Sequence, residues 1–123
     1  MAQLFIPIKI ISESNNRDHW TKKRKRAKTI EMAIRSLYNT SEIRNIKPPV
    51  AITLVRVSSR SLDYDNLVTA FKSVRDVIAD ILIPGLARGQ ADKDESLIRF
   101  DYRQEKSKEK KFGFKIEAKE LNK

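Results

Sequence analysis

Val50-Ala51-Ile52-Thr53-Leu54-Val55-Arg56-Val57 is the stretch on which the fold turns. It is nearly continuous in apolar and β-branched residues and too short for a typical helix, so it reads as a strand buried on both faces, at the centre of a sheet. Pro48 and Pro49 stop any helix from running into it. Upstream, Ala27, Ile30, Ile34 and Leu37 recur at three- and four-residue steps, and downstream Leu67, Phe71, Val74, Ile78 and Ile81 do the same; each set predicts an amphipathic helix. Pro84 with Gly85 closes the second helix. Leu4, Ile6, Ile8 and Ile10 alternate near the start of the chain. Ile98, Phe100 and Tyr102 alternate against Arg99, Asp101 and Arg103, and Phe112, Phe114, Ile116 and Ala118 against Lys115, Glu117 and Lys119. These last two strands are expected to form a hairpin joined by Gln104 to Lys111, whose lysines (106, 108, 110 and 111) serve solubility. The expected architecture is one α+β domain over residues 1–123, in the order β-α-β-α-β-β, with a four-stranded mixed sheet carrying two helices on one face.

At 123 residues the chain suits one domain with one modest core. It carries 26 Lys plus Arg against 16 Asp plus Glu, a formal net charge of +10, which favours polyanionic partners and puts nucleic acid first. Without cysteine there is no disulfide framework, thiolate zinc site or cysteine nucleophile. No apolar run approaches the roughly 18 residues of a membrane span, so no membrane partner is expected. The segment Met1 to Ile11 lacks a basic leader and contains Pro7 and Lys9, so it reads as a strand rather than a signal peptide. A reducing cytoplasm is the expected compartment.

The residues suited to chemistry are in Leu62-Asp63-Tyr64-Asp65-Asn66-Leu67. An extended backbone would send Asp63 and Asp65 to one side. Facing carboxylates repel and persist best around a cation, and hard oxygen donors suit Mg²⁺ or Mn²⁺; the single histidine, His19, argues against zinc. The plainer alternative is that Asp65 or Asn66 only caps the second helix. A third carboxylate, Asp94, precedes the third strand after a long loop, with Asp92 and Glu95 as competitors and a solvated acidic loop as the alternative. The loop is long enough to return along the helix to Asp63, which requires the third strand to run antiparallel to the second; a parallel pairing would leave Asp94 able to join only across a subunit interface.

The run Asp63-Tyr64-Asp65-Asn66-Leu67 opening a helix, followed by Asp94 at a strand, resembles the RusA family of Holliday-junction resolvases, and Ser14-Asn15-Asn16-Arg17 is similar to that family's opening segment. The resemblance implies a Mg²⁺-dependent homodimer that makes paired, symmetric cuts in branched, four-way DNA, with Asp63, Asp65 and Asp94 as catalytic metal ligands and Asn16 and Arg17 near the DNA. Proteins of that family are often those of phages or prophages, so a bacterial or phage-infected cell is the implied setting. One departure is plain: the family's lysine four residues after the second aspartate is replaced by Thr69. Residues 65, 69, 72 and 76 would share one helical stripe, so Lys72 either substitutes as a charge stabiliser or pairs with Asp76.

Lys22-Lys23-Arg24-Lys25-Arg26-Ala27-Lys28 supplies a dense basic run suited to phosphate contacts; the alternative is a solvated face. Trp20 reads as a core or interface anchor, with a base-stacking wedge against DNA as the alternative, and His19 beside it as a further DNA contact. A dimer interface is expected on the exposed side of the sheet or around Ile43, Ile46 and Leu86. The rivals to a nuclease are a structure-selective DNA-binding protein that does not cut, and a metal-free RNA-binding protein.

Overall fold

The computed structural model describes residues 2–11, 20–83, 97–107 and 111–121. They form β1 (Ala2–Ile6), α1 (Trp20–Tyr38), a short 3-10 helix (Glu42–Asn45), β2 (Val50–Ser58), α2 (Tyr64–Ala70), α3 (Lys72–Leu82), β3 (Ile98–Lys106) and β4 (Gly113–Glu120). The result is a single small α+β domain with a four-stranded mixed sheet in the order β1-β4-β2-β3. Among the described residues no helix is long and apolar enough to cross a membrane.

The second predicted helix is divided at Phe71, whose N–H is shared between the carbonyls of Leu67 and Val68, 3.2 Å from each. Two residues earlier the Thr69 hydroxyl donates to the Asp65 carbonyl at 3.0 Å, a back-bond that bends helices. The apolar period runs through the break undisturbed, which is why the sequence pattern does not reveal it.

Two expected pairings are corrected. β3 does not form a hairpin with β4; β4 lies on the other side of β2, antiparallel to both β2 and β1. β3 pairs with β2 in parallel, Val50 opposite Ile98 and Ser58 opposite Lys106, rather than antiparallel. The reason lies in the connection: a helical crossover of this length is what joins parallel neighbours, and the most apolar strand gains most from having both its edges paired.

Alternation sorts the sheet into two unlike faces. Ile6, Phe114, Ile116, Val50, Ile52, Leu54, Ile98 and Tyr102 point into the core with Ile34, Leu67, Phe71, Val74 and Ile78 from the helices. Fully burying each large aliphatic side chain contributes roughly 1.5–3 kcal/mol, so this face carries most of the stability. β2 is central, as its composition requires, but among the described residues no second layer covers its other face. Val55 is nonetheless fully buried there, because its cross-strand neighbours are Arg103 and Lys115. Those long side chains are tied down over it, Arg103 to Glu117 at 3.0 Å and Lys115 to Glu105 at 2.8 Å.

α1 is anchored only in its second half, where Ile30, Ile34 and Tyr38 are buried. Its basic N-terminal half buries no side chain. Ile43 is 1% exposed and belongs to the core, and Ile46 is partly buried against it, so that proposed interface is corrected; Leu86 lies outside the described residues.

Candidate nucleic-acid and metal site

The loop from β2 to α2 is held by two side chains. Arg56, the one charged residue in the apolar stretch, is 5% exposed; its Nε donates to the Ile10 carbonyl at 2.8 Å and its Nη1 to the Arg60 carbonyl at 2.6 Å. Burial pushes its pKa down from the usual arginine value, yet guanidinium stays charged at neutral pH, so both bonds are charge-assisted. Gln104 of β3 takes the next hold: its amide oxygen accepts from the Leu62 N–H at 2.7 Å and its amide nitrogen donates to the Leu62 carbonyl at 2.8 Å. The residue after that clamp is Asp63.

Asp63 occupies the N-cap of α2, with φ −58° and ψ 153°, and its carbonyl accepts from the Leu67 N–H at 2.8 Å. Its carboxylate makes no capping hydrogen bond. Asp65 lies in the first helical turn and is exposed, as are Asp63 and Tyr64. The extended geometry expected for residues 63–65 is therefore corrected, because helix begins at Tyr64; so is the expectation that Asp65 or Asn66 provides the cap, since that position is Asp63. What remains is a pair of exposed carboxylates at one helix start. Such a pair fits Mg²⁺, which keeps several waters and is bound through one or two carboxylates together with substrate phosphates.

Asp94, Asp92 and Glu95 lie outside the described residues, as do Asn16, Arg17 and His19. Among the described residues no group of three or more His, Asp or Glu side chains forms a metal-binding cluster. The parallel pairing carries a direct consequence. β3 begins at Ile98, six residues before Gln104, so its start is about 20 Å along the strand from the Leu62 clamp. The antiparallel return that was to bring Asp94 beside Asp63 within one subunit does not exist.

A groove of about 590 Å³ runs between α1 and the α2–α3 pair. Lys23, Arg24, Ala27, Lys28 and Glu31 form one wall, and Thr69, Lys72, Ser73, Asp76 and Val77 the other. The predicted stripe of Thr69, Lys72 and Asp76 thus faces one space, and it faces the basic half of α1. Glu31 is engaged by Arg35 at 3.1 Å, which leaves its wall net basic. Thr69 is one helical turn, about 5.4 Å, from Asp65, so the α2 end of the groove leads toward the carboxylates. Of the basic run, Lys23, Arg24 and Lys28 line this groove, while Lys22 and Lys25 are exposed on the helix outside it. Trp20 is 58% exposed, with the Arg24 guanidinium 5.2 Å from its ring centre, so it is not a core residue.

Sequence reasoning missed Arg56 and Gln104. Arg56 carried a signal, a lone charge in an otherwise buried strand. Gln104 carried none, because its partner is 42 residues away.

No family profile, curated protein or solved structure matches the chain.

Proposed function

We propose that this protein is a Mg²⁺- or Mn²⁺-dependent, structure-selective endodeoxyribonuclease resembling the RusA resolvases, acting on four-way DNA junctions as a homodimer in recombination and repair. The observation that carries the reading is Asp63. Its carboxylate stands exposed at a helix start without capping it, next to exposed Asp65, on a loop fixed by a buried arginine and a glutamine clamp. Capping would be its ordinary use, worth about 1 kcal/mol, and that use is forgone.

Asp63 and Asp65 would hold a divalent cation, which would supply an activated water and neutralise the charge that develops on the phosphate oxygens. The chain's own part is to hold and steer. Arg56 and Gln104 keep Asp63 in place. Lys23, Arg24 and Lys28 attract the phosphate backbone along the groove without reading bases, which suits an enzyme selecting shape. Lys72, in the same groove, is the proposed stabiliser of negative charge on the scissile phosphate. Asp94 is the proposed third ligand, contributed across the subunit interface because the parallel β2–β3 pairing removes the route within one subunit, and paired symmetric cuts require two such sites, hence two subunits.

The non-catalytic reading is favoured by Thr69, whose hydroxyl is turned back onto the Asp65 carbonyl where the resolvase family places a lysine. The two readings separate when wild type and Asp65→Asn are incubated with a labelled four-way junction and a linear duplex, in Mg²⁺ or in EDTA. Metal-dependent paired nicks in the junction, reduced at least a hundredfold in the variant, are expected. Tight junction binding with no cutting under any divalent metal would overturn the nuclease reading in favour of the non-catalytic one.

A further inference from the structure

β3 is an edge strand of nine residues, and among the described residues no strand pairs with its outer side. The direction of its backbone groups is fixed by its inner partners. The Leu97 carbonyl accepts from the Val50 N–H at 2.9 Å and the Ser107 N–H donates to the Ser58 carbonyl at 3.0 Å, so odd-numbered residues turn their backbone groups to β2. Even-numbered residues, 98 to 106, turn theirs outward. Consistent with this, the Tyr102 N–H is met by the carboxylate of its own neighbour, Asp101, at 3.0 Å.

On the open face of the sheet the same strand presents Arg99, Asp101, Arg103 and Glu105. Alternating charge is a common way to keep an edge strand from pairing with anything. Here, however, the signs run plus, minus, plus, minus, and that series read backwards is its own complement.

We propose that the outer edge of β3 is the surface through which a second copy of this chain docks, as an antiparallel pair centred on Tyr102. Two-fold pairing about Tyr102 puts Phe100 opposite Gln104 and Ile98 opposite Lys106, which joins outward-facing backbone groups to outward-facing ones, as antiparallel hydrogen bonding requires. It also sets Arg99 opposite Glu105 and Asp101 opposite Arg103, each twice by symmetry, in addition to the pairs that the half-exposed Arg103 and Glu105 already make with Glu117 and Lys115 inside the subunit. Centring the pair on Asp101 instead would set Arg99 against Arg103, and centring it on Arg103 would set Asp101 against Glu105, so neighbouring registers are repulsive. On pairing, the Tyr102 N–H exchanges the Asp101 carboxylate for a backbone carbonyl, which releases that carboxylate to meet Arg103 of the other copy. Tyr64, 60% exposed and edge-on to Tyr102 at 6.3 Å between ring centres, sits beside the axis where a second copy would cover it. The register further brings the Ile98 end of each β3 to the Lys106 end of the other, the end at which Gln104 holds Leu62 beside Asp63. The inference deepens the homodimer of the proposed function by naming its surface and register; it is argued from β3 alone and tested without DNA or metal, so a dimer that uses another edge would overturn it and leave the nuclease reading in place.

Sedimentation of the full chain without DNA or metal, with circular dichroism to verify folding, provides the test. Wild type is expected to be dimeric; Asp101→Arg alone and Arg103→Asp alone each weaken association about tenfold or more, and an equimolar mixture of the two associates again. A monomeric wild type, or folded variants that associate as wild type does, would overturn the proposal. Register is read separately, since the chain has no cysteine of its own. The variant with both Asp101→Cys and Arg103→Cys should cross-link on oxidation and either single variant should not; efficient cross-linking of a single variant, or none of the double, would contradict the register.

Discussion

At the Val50 end of β2 the chain is governed by backbone pairing and apolar burial: Val50 donates to Leu97, and Val50, Ile43 and Ile98 are all buried. At the Ser58 end the chain is governed by polar side chains: Arg56 gathers the Ile10 and Arg60 carbonyls, and Gln104 grips Leu62. The first end needs only shape, and many aliphatic combinations supply it. The second end fixes the direction in which a loop leaves the sheet, and so where Asp63 stands. A polar, side-chain-directed turn is a costly way to end a strand unless the placement of the next segment matters.

That contrast can be broken experimentally. Arg56→Leu should cost about 3 kcal/mol of unfolding free energy in urea melts, because two carbonyls lose charge-assisted donors in a buried place. A cost below about 1 kcal/mol would mean that the Ser58 end is not held as described. Gln104→Ala should cost less, about 1–2 kcal/mol, and should lower cleavage more than Arg56→Leu does per unit of stability lost, since it acts on the residue next to Asp63. Equal proportional losses would make Gln104 a stabiliser only. The gentlest probe concerns the groove: replacing Lys23, Arg24 and Lys28 together by Ala should leave folding intact, because none is buried, and flatten the salt dependence of junction binding by about three in the logarithmic slope. An unchanged slope would move the phosphate path elsewhere.

The same contrast explains what could be read in the sequence. Alternation and helical period are local, so the order of the elements, the centrality of Val50–Val57 and the core faces of Phe114, Ile116 and Phe71 were legible there; the break at Phe71 was not, and the alternation through Ile8 and Ile10 overran β1, which ends at Ile6 just before Pro7. Strand pairing was not. The pattern of Ile98, Phe100 and Tyr102 states which face is buried and is silent about which neighbour lies alongside, so β3 and β4 looked like a hairpin while β2 in fact separates them. The Asp63–Asp65 pair was legible as a motif, but its backbone was not, because helix entered one residue earlier than the extended reading assumed. Of the two places expected for Trp20, the core is ruled out and an interface stays open, because this aromatic lies on the helix half that carries no core residue. Arg56 and Gln104 acquire their roles only through partners far along the chain.

The most direct test of the central claim is Asp63→Asn, measured for junction binding and junction cleavage in the same Mg²⁺ buffer. The predicted result is affinity equal to or tighter than wild type, since one negative charge is removed from the phosphate path, together with cleavage lowered at least a hundredfold. Cleavage that survives the substitution would contradict the assignment of Asp63 as a metal ligand, which would then be no more than the residue at which a helix begins; junction binding without cleavage by the wild type would contradict the nuclease reading itself.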